Sequence, residues 1–204
     1  MRVALFGGSF DPPHVAHQLA CLYALATQDI DQVWMVPCFQ HAFDKRSAPF
    51  GHRVALCRLA AAAIPRVQVC TIEEELGGPS YTLVTVRALQ ARHPEHDFQI
   101  MIGADLLKER ERWHGWDELS RLVPFLVLGR AGSGAEAPAV VDREARGAAV
   151  VDREARSAAV VDQVVLPAVS STRVRALLKA GQRPTGLVAR EVLDYIEEHR
   201  LYRA

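Results

Sequence analysis

Apolar residues in this chain fall into short runs that alternate with segments of helical spacing. Val3–Phe6 is an unbroken apolar run that stops at Gly7-Gly8, the pattern of a buried strand entering a tight turn. A helix is predicted from about Pro13, where a proline is tolerated because its missing N–H has no partner in a first turn. Its spacing puts Val15, Leu19, Leu22 and Ala26 on one apolar face. Val33–Val36 reads as a second strand, ended by Pro37. A helix over Gly51–Ala63, a strand over Val67–Ile72, and a helix capped by Ser80 and running to about Arg92 follow. Phe98–Ile102 is the next strand and stops at Gly103. Short helical pieces near Leu106 and over Asp117–Leu122 precede a strand at Phe125–Leu128. Strands alternating with helices predict an α/β fold, a parallel sheet with helices on both faces. Gly7-Gly8, Pro37 and Gly103 each follow a strand, so their loops should meet at the carboxyl edge, where such sheets bind ligands.

One segment departs from this alternation. Residues 139–148 read AVVDREARGA, residues 149–158 read AVVDREARSA, and a third copy opens as AVVDQ at Ala159. A ten-residue period turns a helix by about 1000°, so the apolar positions drift around it rather than forming a stripe. Fewer than three full copies are too few to stack as a solenoid. The expectation is one domain over residues 1–204, carrying a mobile surface insertion of tandem repeats at about 131–162.

Composition narrows the function. Lysine plus arginine equals aspartate plus glutamate, 24 each, which gives no electrostatic case for nucleic acid or an anionic membrane as partner. No apolar stretch reaches the roughly 20 residues needed to span a bilayer, and the chain reads as cytoplasmic, with room left for a homo-oligomer. Cys21, Cys38, Cys57 and Cys70 lack C-x-x-C spacing and are expected to be reduced, buried thiols.

The richest chemistry is Gly7–His17, GGSFDPPHVAH. Glycines let backbone approach a phosphate, and a helix N-terminus favours an anion through its dipole and free N–H groups. His14 and His17, three apart, project from one side of that helix. A metal site there has Asp11 as its only nearby carboxylate, so phosphate binding is the stronger reading and no protein metal site is expected. His93 and His96 share the spacing without a glycine loop and read as a solvated turn. Near the end, Ser170-Ser171-Thr172 looks like a helix N-cap whose hydroxyls and N–H groups can hold phosphates. Arg173 and Arg175 sit in its first turn, where a cation is unfavourable unless an anion is bound.

GGSFDPPHVAH resembles the G-G-S/T-F-D-P-x-H-x-G-H signature of the H-x-G-H nucleotidyltransferases, and the chain is most similar to bacterial nicotinate-nucleotide adenylyltransferases. PFGHR at Pro49–Arg53, PSYT at Pro79–Thr82, IGAD at Ile102–Asp105, Trp113 and VSSTRVR at Val169–Arg175 match in the same order, ahead of a tail reading YIEEHRLY. Ala16 stands where the signature has glycine, and CFQHAFDK at Cys38–Lys45 replaces the usual P-P-H-K. The resemblance implies a Rossmann-like sheet and transfer of the adenylyl group of ATP to nicotinate mononucleotide, with Mg²⁺ carried in on the ATP. It implies catalytic roles for His14, His17 and Arg175. It assigns ATP contacts to Gly7, Gly8, Ser9, Phe10, Gly103, Asp105, Ser170, Ser171 and Thr172. On the mononucleotide side it implies Tyr81, Thr82, Trp113 and Lys45, with His41 an open alternative to Lys45 as phosphate contact. Trp116 is the less favoured tryptophan. A nicotinamide mononucleotide enzyme and an inactive nucleotide sensor remain the rival readings.

Overall fold

The computed structural model describes residues 1–41, 47–107, 109–130, 149–151 and 158–203. Strands β1 (Arg2–Gly8), β2 (Gln32–Pro37), β3 (Val67–Val69), β4 (Asp97–Gly103) and β5 (Phe125–Arg130) alternate with helices α1 (Val15–Thr27), α2 (Phe50–Ala62), α3 (Ile72–Leu76), α4 (Thr82–Arg92), α5 (Ala104–Leu107) and α6 (Trp116–Leu122). Strands β6 (Ala149–Val151) and β7 (Ala158–Leu166) and helices α7 (Ser171–Lys179) and α8 (Arg190–Glu198) complete the chain. One sheet runs in the order β3-β2-β1-β4-β5-β7-β6, parallel throughout except for the β6–β7 pair. The expected α/β, Rossmann-like architecture is therefore the observed one.

Period-two alternation sorts each strand between the two faces of the sheet. Val3, Leu5, Trp34, Val36, Phe98, Ile100, Phe125 and Val127 pack with Leu83, Val86 and Leu89 of α4 and Leu119 of α6. Ala4, Val33, Met35, Met101, Leu126 and Leu128 pack the other way, against Ala20, Cys21 and Ala24 of α1 and Cys57 and Ala61 of α2. Parallel pairing brings the carboxyl ends level: Gly8 lies opposite Pro37, and Gly103 opposite Leu128.

Four expectations change. The buried face of α1 is Ala16, Ala20, Cys21, Ala24 and Leu25, whereas Leu19 and Leu22 are exposed. The helix is apolar nearly all round, and the face that goes inward is the one made mostly of small residues, which can approach the sheet more closely. The strand predicted to reach Ile72 stops at Val69 and gives way to α3, whose Glu73, Glu74 and Glu75 suit the first turn of a helix. Ser80 does not cap α4; its Oγ accepts from the Phe39 N–H, and Tyr81 is the N-cap. Finally, Ala149–Val151 and Ala158–Leu166 are strands of the sheet, so the expected end of the surface insertion at 162 falls inside β7. The rest of the repeat lies outside the described residues. Cys21 and Cys57 are buried, Cys38 and Cys70 half-buried, and all four are free thiols. Among the described residues, no helix is long and apolar enough to cross a membrane.

A third apolar cluster docks the C-terminal helices. Leu56 and Ala60 of α2 and Ala16 of α1 meet Val174 of α7 and Val192, Leu193 and Ile196 of α8. This contact fixes where the N-terminus of α7 points. Leu193 is fully buried, so Leu193→Ala should lower unfolding stability by about 2–5 kcal/mol. Chemical denaturation checks this.

Candidate active site

The loop after β1 is shaped by residues that its sequence makes obligatory. A Cβ on Gly7 would meet nothing within 4 Å, so its backbone lies bare to the space above the sheet. A Cβ on Gly8 would press to 3.1 Å from the Phe10 ring. Phe10 itself has φ 45°, the left-handed region that a bulky residue enters only when packing holds it there. The packing is plain: its ring is buried, 5.5 Å from Phe6 and 5.0 Å from His17. The Phe10 side chain packs edge-on against the His17 ring.

His14 is the N-cap of α1 and His17 lies three residues on, their rings stacked at 3.8 Å. The His14 N–H donates to Nδ1 of His17 at 3.1 Å. That bond needs Nδ1 as an acceptor, which leaves the ring proton of neutral His17 on Nε2. The next N–H of the helix, from Val15, donates to the Leu187 carbonyl. Two of the N–H groups expected to cradle a phosphate at this helix end are thus already bonded within the protein.

Helix α7 reaches this loop directly. Ser170 caps it, accepting from the Arg173 N–H, while Ser171 Oγ donates to the Pro12 carbonyl at 2.9 Å. Arg175 donates to the Asp11 carbonyl at 2.7 Å, lies 3.5 Å from the Asp11 carboxylate, and donates also to Thr172 Oγ1. Arg173 is exposed. The two ends of the predicted phosphate site, far apart in sequence, are therefore neighbours in space.

A cavity of about 610 Å³ opens beside Gly7, Gly8 and Ser9 and extends to Tyr81, Thr82, His41 and Trp113. Tyr81 and Thr82 form the start of α4, whose first N–H groups lack intrahelical partners and suit a carboxylate. Trp113 packs one side against Trp116 and Phe125 and lines the cavity with the rest. Trp116 rests on Phe125 and is not part of the lining. His14, His17, Phe10, Gly103 and residues 170–175 lie outside this lining. Gly103 ends β4 and Asp105 follows it in α5. Lys45 falls outside the described residues.

Several side chains that the motifs left without a role turn out to be structural. Asp11 is buried, and its Oδ1 accepts from the Ala48 N–H and the Tyr202 hydroxyl. Burial, reinforced by the Asp11 charge, holds the Tyr202 hydroxyl well above the usual phenol range. Arg53, also buried, donates to the carbonyls of Ala48, Ser9 and Phe39, tying together three loop segments at the carboxyl edge. Glu73 faces the cavity and accepts from the Phe39 N–H and the Thr85 hydroxyl. His114 packs on Tyr81 at 4.5 Å and lines the cavity with Arg112. The arginine of PFGHR is thus a brace, a role that only the fold reveals.

Comparison with known proteins places these features in company. The model of the cytidylyltransferase-like family matches residues 5–177. A protein of Anaeromyxobacter dehalogenans (strain 2CP-C), described as a "probable nicotinate-nucleotide adenylyltransferase", is 42% identical over 99% of this chain and 97% of its own. A Myxococcus xanthus protein of the same description is 38% identical over 99% of this chain and 95% of its own. Among solved structures, the Plasmodium falciparum nicotinic acid mononucleotide adenylyltransferase complexed with NaAD aligns with a TM-score of 0.76, covering 98% of this chain and 97% of that one. At 18% identity that last likeness is one of fold.

The brace is testable. Arg53→Lys keeps the charge but loses the planar fork that serves three carbonyls. It should destabilise the protein by about 1–3 kcal/mol, the cost of leaving buried acceptors unsatisfied, as read from its denaturation midpoint.

Proposed function

The chain belongs to the cytidylyltransferase-like family, and from that premise we propose that it joins nicotinate mononucleotide to the adenylyl group of ATP, giving deamido-NAD and pyrophosphate. It is a nucleotidyltransferase of NAD biosynthesis. The observation that carries this reading is the bond from Arg175 to the Asp11 carbonyl, which seats the capped end of α7 on the histidine loop. The pyridine nucleotide would occupy the cavity beside Gly7, its carboxylate at the start of α4 and its ring against Trp113. His41, which lines that cavity, is the described candidate for the mononucleotide phosphate, with Lys45 the alternative.

In the reaction an oxygen of the mononucleotide phosphate attacks the α-phosphorus of ATP. The bond from that phosphorus to the bridging oxygen breaks, and its electron pair leaves on pyrophosphate. The attacking phosphate is already ionised near neutral pH, so no enzyme nucleophile is required. Alignment and stabilisation of the leaving charge remain. His17, held with its proton on Nε2, donates to the triphosphate, with His14 stacked beside it. Ser170, Ser171 and Thr172 border the β- and γ-phosphates, and Arg175 answers their charge. Mg²⁺ bound to ATP would neutralise part of the phosphate charge. Asp11, the nearby carboxylate, is taken up by Tyr202, Ala48 and Arg175, which fits a metal carried by the nucleotide rather than by the protein. We place the reaction in the cytoplasm, where ATP and Mg²⁺ are supplied.

His17→Ala should lower kcat by about 10²–10³-fold with the fold intact by circular dichroism, the usual loss for one electrostatic donor. Unchanged turnover would remove His17 from the mechanism. A pyrophosphate-release assay with paired acceptors should give a higher kcat/KM for nicotinate than for nicotinamide mononucleotide. The reverse order would reassign the acceptor, and ATP binding without pyrophosphate release would mark a sensor.

A further inference from the structure

The turn His93-Pro94-Glu95-His96 lies at the amino edge of the sheet, the end away from the phosphate loop. Sequence pattern alone predicts a solvated turn there. In the structure Glu95 is exposed, but the His96 side chain is only 9% exposed, and its buried Nδ1 faces the Glu95 carboxylate at 3.1 Å without the alignment of a hydrogen bond. A buried ring nitrogen set beside a carboxylate oxygen, with no aligned hydrogen bond between them, is a donor pair that a cation can bridge.

We propose that His93, Glu95 and His96 form a binding site for a Zn²⁺-class divalent cation. Local chemistry builds it. Pro94 ends α4 at His93, because a residue before proline is driven out of helical geometry. The His96 N–H then closes back on the His93 carbonyl at 3.0 Å, bringing all three side chains together. Nδ1 of His96 lies 3.1 Å from Glu95 Oε1, and Nδ1 of His93 lies 3.8 Å from the same oxygen. The three ligand atoms are all within 4.8 Å of one another. Metal–ligand bonds of about 2.0–2.2 Å in a tetrahedron set ligands roughly 3.3–3.6 Å apart, a value these two separations bracket. Among the described residues this is the one group of histidine, cysteine and carboxylate side chains so arranged.

The surroundings hold the ligands in place. The His93 and His96 rings stack at 5.3 Å and 15°, and Trp34 packs edge-on against both, at 5.3 and 5.9 Å. Two imidazoles and one carboxylate suit Zn²⁺ or Co²⁺ rather than Mg²⁺ or Ca²⁺, and they leave one coordination position for water. Because no group of the phosphate site takes part, the ion's role is to clamp the end of α4 to the entry of β4.

The test uses chelator-stripped full-length protein and Zn²⁺ alone. Calorimetry should show one high-affinity equivalent, weakened at least about tenfold in Glu95→Gln and abolished in His96→Gln. Zn²⁺ at about a hundredfold over Kd should raise Tm by roughly 5–10 °C in the wild type and not in His96→Gln. Co²⁺ should quench a tryptophan emission that Trp34→Phe removes. Glu95 is exposed, so Glu95→Gln reads the site even if His96→Gln fails to fold. Zn²⁺ bound equally well by wild type and Glu95→Gln, or no Zn²⁺-dependent shift in Tm, overturns the proposal.

Discussion

A carboxylate shut away from water has to be answered by donors, and Asp11 imposes that requirement on the whole molecule. A buried unpaired charge is far more costly than any single packing defect. The chain meets the demand from three directions: the Ala48 N–H before α2, the guanidinium of Arg175 on α7, and the hydroxyl of Tyr202. Each partner is delivered by a different element. The histidine loop, the α2 entry and the C-terminal helices are thereby drawn to one point at the carboxyl edge of the sheet. The apolar cluster shared by α1, α2, α7 and α8 supplies the affinity for this docking, and the polar contacts set its register.

The same economy of groups explains which atoms are left to act on a ligand. The opening N–H groups of α1 are engaged by His17 and Leu187, and the Arg53 fork by three carbonyls. These contacts stiffen the loop rather than bind anything. Gly7 stays bare, and α4 presents its first turn to the cavity across from it. Arg175 and Ser171 likewise donate to the Asp11 and Pro12 carbonyls, so the loop is held rigid by the helix that abuts it, which is what pre-organisation of a site requires.

Much of this was legible in the residues. The strand–helix alternation of β1 to β5 follows from apolar runs too short for helices and bounded by glycine or proline, and the loops at Gly8, Pro37 and Gly103 do share an edge. What escaped has physical reasons. Helix α1 is apolar on two faces, so periodicity could not tell that the alanines rather than Leu19 and Leu22 go inward. The AVV of the ten-residue repeat has no steady helical stripe, yet its β-branched pairs fit a strand once β5 offers an unpaired edge, information held by the sheet and not by the segment. Asp11, Arg53 and Tyr202 matter through contacts across long separations, which no local window contains. His96 looked solvated because its neighbours are polar; its burial comes from Trp34, two strands away in the chain.

The Tyr202–Asp11 bond spans 191 residues, and it bears on how the protein is made. A nascent chain on the ribosome can lay down β1 and the histidine loop early, but Asp11 lacks its last donor until translation has passed codon 202. Prematurely terminated products would therefore carry an unfinished phosphate loop. Such fragments would leave the buried Asp11 carboxylate one donor short, a cost that falls on the loop nearest the histidines.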